Sequence, residues 1–187
     1  MKLSKRRLLD GKAFQFDWSD DYAVIGGERV KLQVTHIKLS HSRAFLLRAY
    51  LLQTREMLFD AHWHGFQVFG GVPARGIYDN TKTEVDRVGR GKERQVNIRF
   101  LAMPNHYVFA PEFCNPAAGW EKGRVENARS RLWQKKMPDF PDLAALNAWL
   151  EQYYQDLWQE TPHGSLPGSI ADVWADERAA FGIARHV

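Results

Sequence analysis

AFQFDWS, residues 13–19, is the stretch of sequence that decides the fold. Its aromatic and polar residues alternate, which places Phe14, Phe16 and Trp18 on one face of a β-strand and Asp17 on the other. Strands disfavour aspartate, and a charge among aromatic side chains needs a partner or a cation. The stretch therefore predicts a strand that carries one acid for a reason other than packing.

The residues after this strand predict an α/β order of elements. Two β-rich runs between Tyr22 and Leu39 flank Gly26-Gly27, which favours a tight hairpin turn. Thr54 is a suitable N-cap for a helix that ends at Gly70-Gly71. The other predicted elements are strands over 44–51, 76–80 and 107–110, a helix over 119–136, and a last helix that begins near Asp142.

Charge is distributed unevenly along the 187 residues. Residues 1–136 contain 24 Lys and Arg against 14 Asp and Glu, a balance of +10, whereas residues 137–187 contain 2 against 8, a balance of −6. A basic surface of this size favours a polyanionic partner, and nucleic acid is the commonest one. An ordinary solvated surface is the alternative explanation of the same counts.

Cysteine usage and hydropathy exclude several classes of protein. The single cysteine, Cys114, excludes a disulfide framework and a cysteine-based zinc finger. No apolar run approaches the roughly 18 residues of a membrane span, and residues 1–12 are basic rather than apolar. We therefore expect a cytoplasmic protein with no membrane partner.

The stretch from Thr81 to Arg99 is basic and shows little hydrophobic periodicity. It also contains Gly89 and Gly91, so it predicts a mobile segment with few apolar anchors. Such a segment is suited to contact the phosphates of a nucleic acid. The residues expected to make these contacts are Lys82, Arg87, Arg90, Lys92 and Arg94.

Three carboxylates, Asp17, Asp79 and Glu126, suggest a metal site. Asp79 follows a short predicted strand, where ligands of α/β sheets gather, although Asp-Asn there is also a common turn signal. Glu126 shares a helical stripe with Lys122 and Arg129, and a surface ion pair is the alternative explanation for it. Clustered carboxylates repel unless a divalent cation neutralises them, and oxygen ligands select Mg²⁺ or Mn²⁺. Two such ions support in-line phosphoryl transfer.

Other possible sites have weaker patterns. His62 and His64 are two residues apart on a predicted helix, so they do not share a face as two zinc ligands would. Cys114 has no His or Asp at the spacing of a nucleophile and its base. Gly89-Arg90-Gly91-Lys92 lacks the spacing of a phosphate-binding loop.

Several short motifs, taken in order, resemble a known family. They are Phe16-Asp17-Trp18, Gly70-Gly71-Val72-Pro73, Tyr78-Asp79-Asn80-Thr81-Lys82-Thr83, Phe113-Cys114-Asn115-Pro116, Glu121-Lys122-Gly123-Arg124-Val125-Glu126-Asn127 and Thr161-Pro162-His163-Gly164. Together they resemble the catalytic core of insertion-sequence transposases of the IstA type, which belong to the retroviral-integrase-like group. The resemblance extends over residues 13–180.

The resemblance implies an α/β, RNase H-like fold: a mixed five-stranded sheet flanked by helices, with a C-terminal helical extension. It also implies a DDE triad of Asp17, Asp79 and Glu126 that holds Mg²⁺ or Mn²⁺. Glu121 is the rival for the third place, and the integrase-like spacing of Gly123 and Glu126 favours Glu126. The cations beside this acid, expected to contact DNA, are Lys122, Arg124 and Arg129.

The resemblance further implies an organisation and a function. Residues 1–12 form a basic N-terminal segment, 13–137 the core, and 138–187 an acidic helical extension that packs on the core. Full-length members carry a helix-turn-helix part before the core and a β-rich part after it, so we expect a core fragment or a shortened reading frame.

The implied function is DNA strand cleavage and strand transfer at the nucleoid, with self-association and an AAA+ helper ATPase in the full-length relative. An inactive DNA-binding remnant and an RNase H-like nuclease are the alternatives.

Overall fold

The computed structural model describes residues 13–78, 85–88, 94–113 and 138–181. The helix expected over 119–136 and the segment 1–12 lie outside these ranges. The elements in chain order are β1 (Ala13–Ile25), β2 (Glu28–Leu39), β3 (Phe45–Tyr50), α1 (Arg55–Phe69), β4 (Arg75–Tyr78), β5 (Val85–Val88), β6 (Arg94–Val96), α2 (Ile98–Tyr107), β7 (Ala110–Phe113), α3 (Leu143–Glu160) and α4 (Ile170–Ala180).

Five of these strands form one mixed sheet in the order β3-β2-β1-β4-β7. Strands β1, β2 and β3 are antiparallel neighbours, whereas β4 runs parallel to both β1 and β7. The turn between β1 and β2 has positive φ angles at Gly26 and Gly27, as the sequence predicts. The mixed five-stranded sheet confirms the expected fold class.

Strand β1 is longer than predicted. It runs without a break from Ala13 to Ile25, whereas the sequence predicts one strand over 13–19 and a separate hairpin from Tyr22. Its buried face also changes along its length. Phe14 and Phe16 are buried in the first half, and Ser19, Asp21 and Ala23 are buried in the second half.

The change of face follows from the helices that cover the two sides of the sheet. On one side, Phe66 of α1 contacts Phe14 edge to face, with ring centroids 5.6 Å apart. On the other side, the ring of Tyr154 in α3 contacts the ring of Phe45, with centroids 6.2 Å apart. At the β3 edge of the sheet, the indole Nε1–H of Trp158 donates to the Phe45 carbonyl at 3.0 Å. The side-chain amide of Asn147 exchanges hydrogen bonds of 2.8 and 3.0 Å with the β3 backbone there. Because each helix covers a different face, each half of β1 buries different residues.

Helices α1 and α3 begin where the sequence predicts. The Thr54 hydroxyl accepts the Met57 N–H, and Gly70 ends α1 in the left-handed conformation with φ 75°. The Asp142 carboxylate accepts the Ala145 N–H at the start of α3. The fully buried face of α3 consists of Leu146, Leu150, Tyr154 and Trp158.

Residues 85–107 depart from the prediction. Strands β5 and β6 pair antiparallel. The prediction of a mobile segment over 81–99 is therefore wrong for the seven residues of these two strands, which include valines on both sides of the two glycines. The strand predicted over 107–110 is also wrong, because β7 begins at Ala110 and helix α2 precedes it. The Asn97 side chain caps α2 by accepting hydrogen bonds from two backbone N–H groups. Pro104 lies inside this helix, and because proline disfavours helix interiors, the sequence pattern does not indicate a helix here. Val108 ends α2 with φ 60°.

Helix α4 packs on the turn between β2 and β3. A capping box of Ser169 and Asp172 begins it. One carboxylate oxygen of Glu177 accepts the Ser42 N–H at 3.1 Å, and burial raises the pKa of this carboxyl above its usual range. The contact links the acidic C-terminal region to the sheet.

Candidate active site

The two predicted strand acids follow the same register pair. Strand β1 pairs in parallel with β4, and the last of four partner pairs joins Phe16 to Tyr78. Asp17 is the next residue on β1, and Asp79 is the next residue after β4. In the sequence, one predicted acid thus directly follows each member of this pair. Asp17 belongs to β1, and Asp79 comes after the carboxyl end of β4.

Asp17 is the predicted triad member that the structure describes. Its side chain is half-buried, and its Oδ1 accepts the N–H of Trp18 at 2.9 Å. Its partner residue across the antiparallel pair with β2 is His36, which is buried. Asp17 projects from the sheet face opposite to Phe16, because neighbouring residues of a strand alternate.

The remaining predicted site residues lie mostly outside the described ranges. This holds for Asp79, Glu126 and the rival Glu121, and for the cations Lys82, Arg90, Lys92, Lys122, Arg124 and Arg129. The structure places Arg87 on β5 and Arg94 on β6, so these two predicted DNA contacts belong to one two-stranded antiparallel sheet.

An aromatic layer lies under the first half of β1 and under β4. The ring of Tyr78 is fully buried and contacts the rings of Phe14 and Phe100 edge to face. Gly76 of β4 leaves no room there for a larger residue. A Cβ atom at Gly76 would come within 2.9 Å of ring atoms of Phe14, Tyr78 and Phe109. This packing holds the residues of β1 and β4 that precede the acids in the sequence.

His62 of α1 lies at the centre of this layer. The residue is fully buried, its Nδ1 is 2.7 Å from the Leu58 carbonyl oxygen, and its Nε2 is 2.8 Å from the Tyr78 hydroxyl oxygen. A carbonyl oxygen only accepts, so Nδ1 carries the hydrogen and Nε2 accepts the hydroxyl of Tyr78. Burial lowers the pKa of His62 to about 4, so the ring is neutral at pH 7.

The two histidines of α1 have different surroundings. His64 lies at the surface, with its Nε2 3.5 Å from a carboxylate oxygen of Asp60, whereas His62 is inside the core. The structure therefore places His62 in the core and His64 near the surface, as the sequence predicts for histidines without a shared face. In the sequence, His62 carries no signal of its contact with Tyr78, because the two residues belong to different elements.

Oxygen donors are the ligands that the site offers to a metal. Among the described residues, no group of three His, Cys, Asp or Glu side chains is arranged to hold an ion. Asp17 supplies a hard, half-buried carboxylate, and Asp79 follows the neighbouring strand end. This donor chemistry fits Mg²⁺ or Mn²⁺ better than zinc. In the described part of the chain, no helix is long and apolar enough to cross a membrane.

Known proteins with similar sequences are transposases. A transposase of Aminobacter aminovorans is 66% identical over 175 residues, which are 91% of this chain and 34% of that protein. The transposase for insertion sequences IS1326/IS1353 of Pseudomonas aeruginosa is 59% identical over 176 residues, which are 92% of this chain and 34% of that protein. The transposase for IS21 of the same organism is 30% identical, over 76% of this chain and 37% of its own length.

The chain is similar to transposases of IS1326- and IS21-type elements, as expected for an IstA-type core. It spans about a third of the length of the first two of these transposases. No protein-family model matches it.

A solved structure with the same fold is the integrase catalytic core domain of HTLV-2 in complex with magnesium. It superimposes with a TM-score of 0.57 over 89% of this chain and 97% of that chain, at 13% sequence identity. At this identity the likeness shows the fold alone. The chain therefore has the RNase H-like architecture that its motifs imply.

Proposed function

We propose that this chain is the catalytic core of a transposase and carries out divalent-metal-dependent DNA strand cleavage and strand transfer. The observation that carries the proposal is the register of β1 and β4. Phe16 and Tyr78 are partners, and each directly precedes a predicted acid. Transposase relatives that match nine-tenths of the chain support the same function.

The proposed ligands are Asp17, Asp79 and Glu126. When bound, a pair of divalent cations would activate the attacking oxygen and stabilise the leaving oxygen of an in-line phosphoryl transfer. The Trp18 N–H holds one carboxylate oxygen of Asp17, which orients this ligand from within its own strand. On the other face of the sheet, His62 contacts Phe16 of β1 and Tyr78 of β4, the residues directly before two of these ligands.

DNA is the proposed substrate, and basic residues are its proposed contacts. Arg87 and Arg94 on the β5–β6 sheet would bind phosphates, which gives affinity without sequence information. The other proposed phosphate contacts are Lys82, Arg90, Lys92, Lys122, Arg124 and Arg129. Self-association, a helper ATPase and action at the nucleoid belong to the same proposal for the complete transposase. In this proposal residues 13–137 are the core, and 138–187 are an extension that packs on it.

A domain exchange tests the function. The matching region of the Aminobacter aminovorans transposase is replaced by this chain, and strand transfer is measured with Asp17→Asn, Asp79→Asn and Glu126→Gln. Loss of one metal ligand should lower the rate by at least about 100-fold. Asp20→Asn is the matched control, because this exposed acid of β1 forms a surface ion pair with Lys31.

The outcomes separate the alternatives. Full activity of all three variants would refute the proposed function. If Glu121→Gln is inactive and Glu126→Gln is active, the third acid is Glu121. Cleavage without joining would indicate a nuclease, and DNA binding without either reaction would indicate an inactive remnant.

A further inference from the structure

The side chain of His62 contacts both residues that precede the two strand acids. Its imidazole stacks on the ring of Phe16, with a centroid distance of 4.7 Å and an interplanar angle of 26°. Its Nε2 accepts the hydroxyl of Tyr78 at 2.8 Å. One side chain of α1 therefore contacts β1 and β4 at the residues directly before Asp17 and Asp79.

The orientation of the His62 ring is fixed from within its own helix. Nδ1 donates to the carbonyl oxygen of Leu58, one turn earlier in α1, at 2.7 Å. The ring is fully buried, and a 180° flip would place the carbons Cδ2 and Cε1 against the two partners, so both hydrogen bonds would be lost. The position of α1 is thereby transmitted to the Tyr78 hydroxyl through two hydrogen bonds.

We propose that His62 is a positioning residue for the metal-binding acids, because it holds the last residue of β4 at a fixed place beside β1. The inference rests on the proposed function, since the acids are its metal ligands. The last described pair between β1 and β4 joins Phe16 to Tyr78, and each of these residues directly precedes one of the acids. The separation of the residues that follow depends on this last pair. A small divalent cation needs ligand oxygens placed to within about half an ångström, so the anchor affects metal affinity.

An ordinary core role for His62 is the alternative, and a double substitution distinguishes the two. His62→Leu together with Tyr78→Phe removes the acceptor and the donor at once and leaves apolar groups of similar size. Such a pair is expected to leave the stability of the fold nearly unchanged. His62→Gln is the conservative variant, because its side-chain oxygen can still accept the Tyr78 hydroxyl.

The experiment measures Mn²⁺ affinity of the full 187-residue chain by electron paramagnetic resonance, and unfolding in urea for the same variants. The double variant should bind Mn²⁺ at least about threefold more weakly than the wild type at a similar unfolding midpoint. His62→Gln should bind within about twofold of the wild type. Trp158→Phe is the matched control, because it removes a buried hydrogen bond to the Phe45 carbonyl at the β3 edge of the sheet, two strands away from β1. It should unfold more easily and bind Mn²⁺ as the wild type does.

Two results would overturn the inference directly. The double variant could bind Mn²⁺ as tightly as the wild type, or Trp158→Phe could weaken binding as much as the double variant does. Asp17→Asn separates this failure from failure of the proposed function. Unchanged Mn²⁺ affinity in Asp17→Asn refutes the proposed function and the inference with it. Weaker binding in Asp17→Asn without weaker binding in the double variant refutes the inference alone.

Discussion

Acidification should destabilise the chain through His62. The buried ring has a pKa of about 4 in the folded state, against about 6.5 in an unfolded chain. Between these values the unfolded state binds more protons, so the free energy of unfolding falls as the pH falls from about 6.5 to about 4. The linkage relation gives a loss of about 2 kcal/mol at pH 5 and about 3 kcal/mol at pH 4.

The assay is urea unfolding followed by tryptophan fluorescence at pH 7.5, 6 and 5, for the wild type and His62→Gln. Glutamine does not titrate, so the stability difference between the two proteins should shrink by about 2 kcal/mol between pH 7.5 and pH 5. Glu177, whose raised pKa acts in the opposite direction, is present in both proteins and cancels in the comparison. Parallel losses of stability in the two proteins would refute the reasoning, because His62 would then titrate as an exposed histidine does.

Three further predictions concern backbone strain, packing and DNA binding. Val108→Gly should raise the free energy of unfolding by about 1 kcal/mol in thermal unfolding, because an exposed β-branched residue with φ 60° is strained; an unchanged melting temperature would contradict this. Gly76→Ala should lower the free energy of unfolding by about 1 to 3 kcal/mol in urea, because aromatic ring atoms lie within 2.9 Å of the new Cβ; a neutral effect would show that the layer yields. Neutralising four cations should flatten the salt dependence of DNA binding by about one unit of slope per lost phosphate contact, measured by fluorescence anisotropy, and an unchanged slope would place the contacts elsewhere. The four are Arg87, Arg90, Lys92 and Arg94.

The sequence predicts the elements whose signals are local. Alternation over 13–19 predicts the start of β1, and Thr54 and Asp142 predict the starts of α1 and α3, because each signal lies within a few residues of the feature it predicts. The motifs around Asp17 and Asp79 predict the order of the acids. The structure adds that they follow one register pair.

What the sequence does not predict depends on partners distant along the chain. The change of buried face along β1 follows from contacts of α1 with Phe14 on one side of the sheet and of α3 with Phe45 on the other. Helix α2 is missed because Pro104 breaks its pattern, although Asn97 is a good N-cap. The contact between His62 and Tyr78 joins two elements, and periodicity within a helix indicates burial of a histidine without indicating its partner.

A crystal structure of the chain with Mn²⁺, with the ion located by its anomalous scattering, tests the central claim most directly. The account predicts an anomalous peak beside β1 and the carboxyl end of β4, about 2.0 to 2.3 Å from a carboxylate oxygen of Asp17 and from one of Asp79. The peak should be absent from crystals of Asp17→Asn grown in the same solution. A peak elsewhere in the molecule, or carboxylates of Asp17 and Asp79 too far apart to share an ion, would contradict the account.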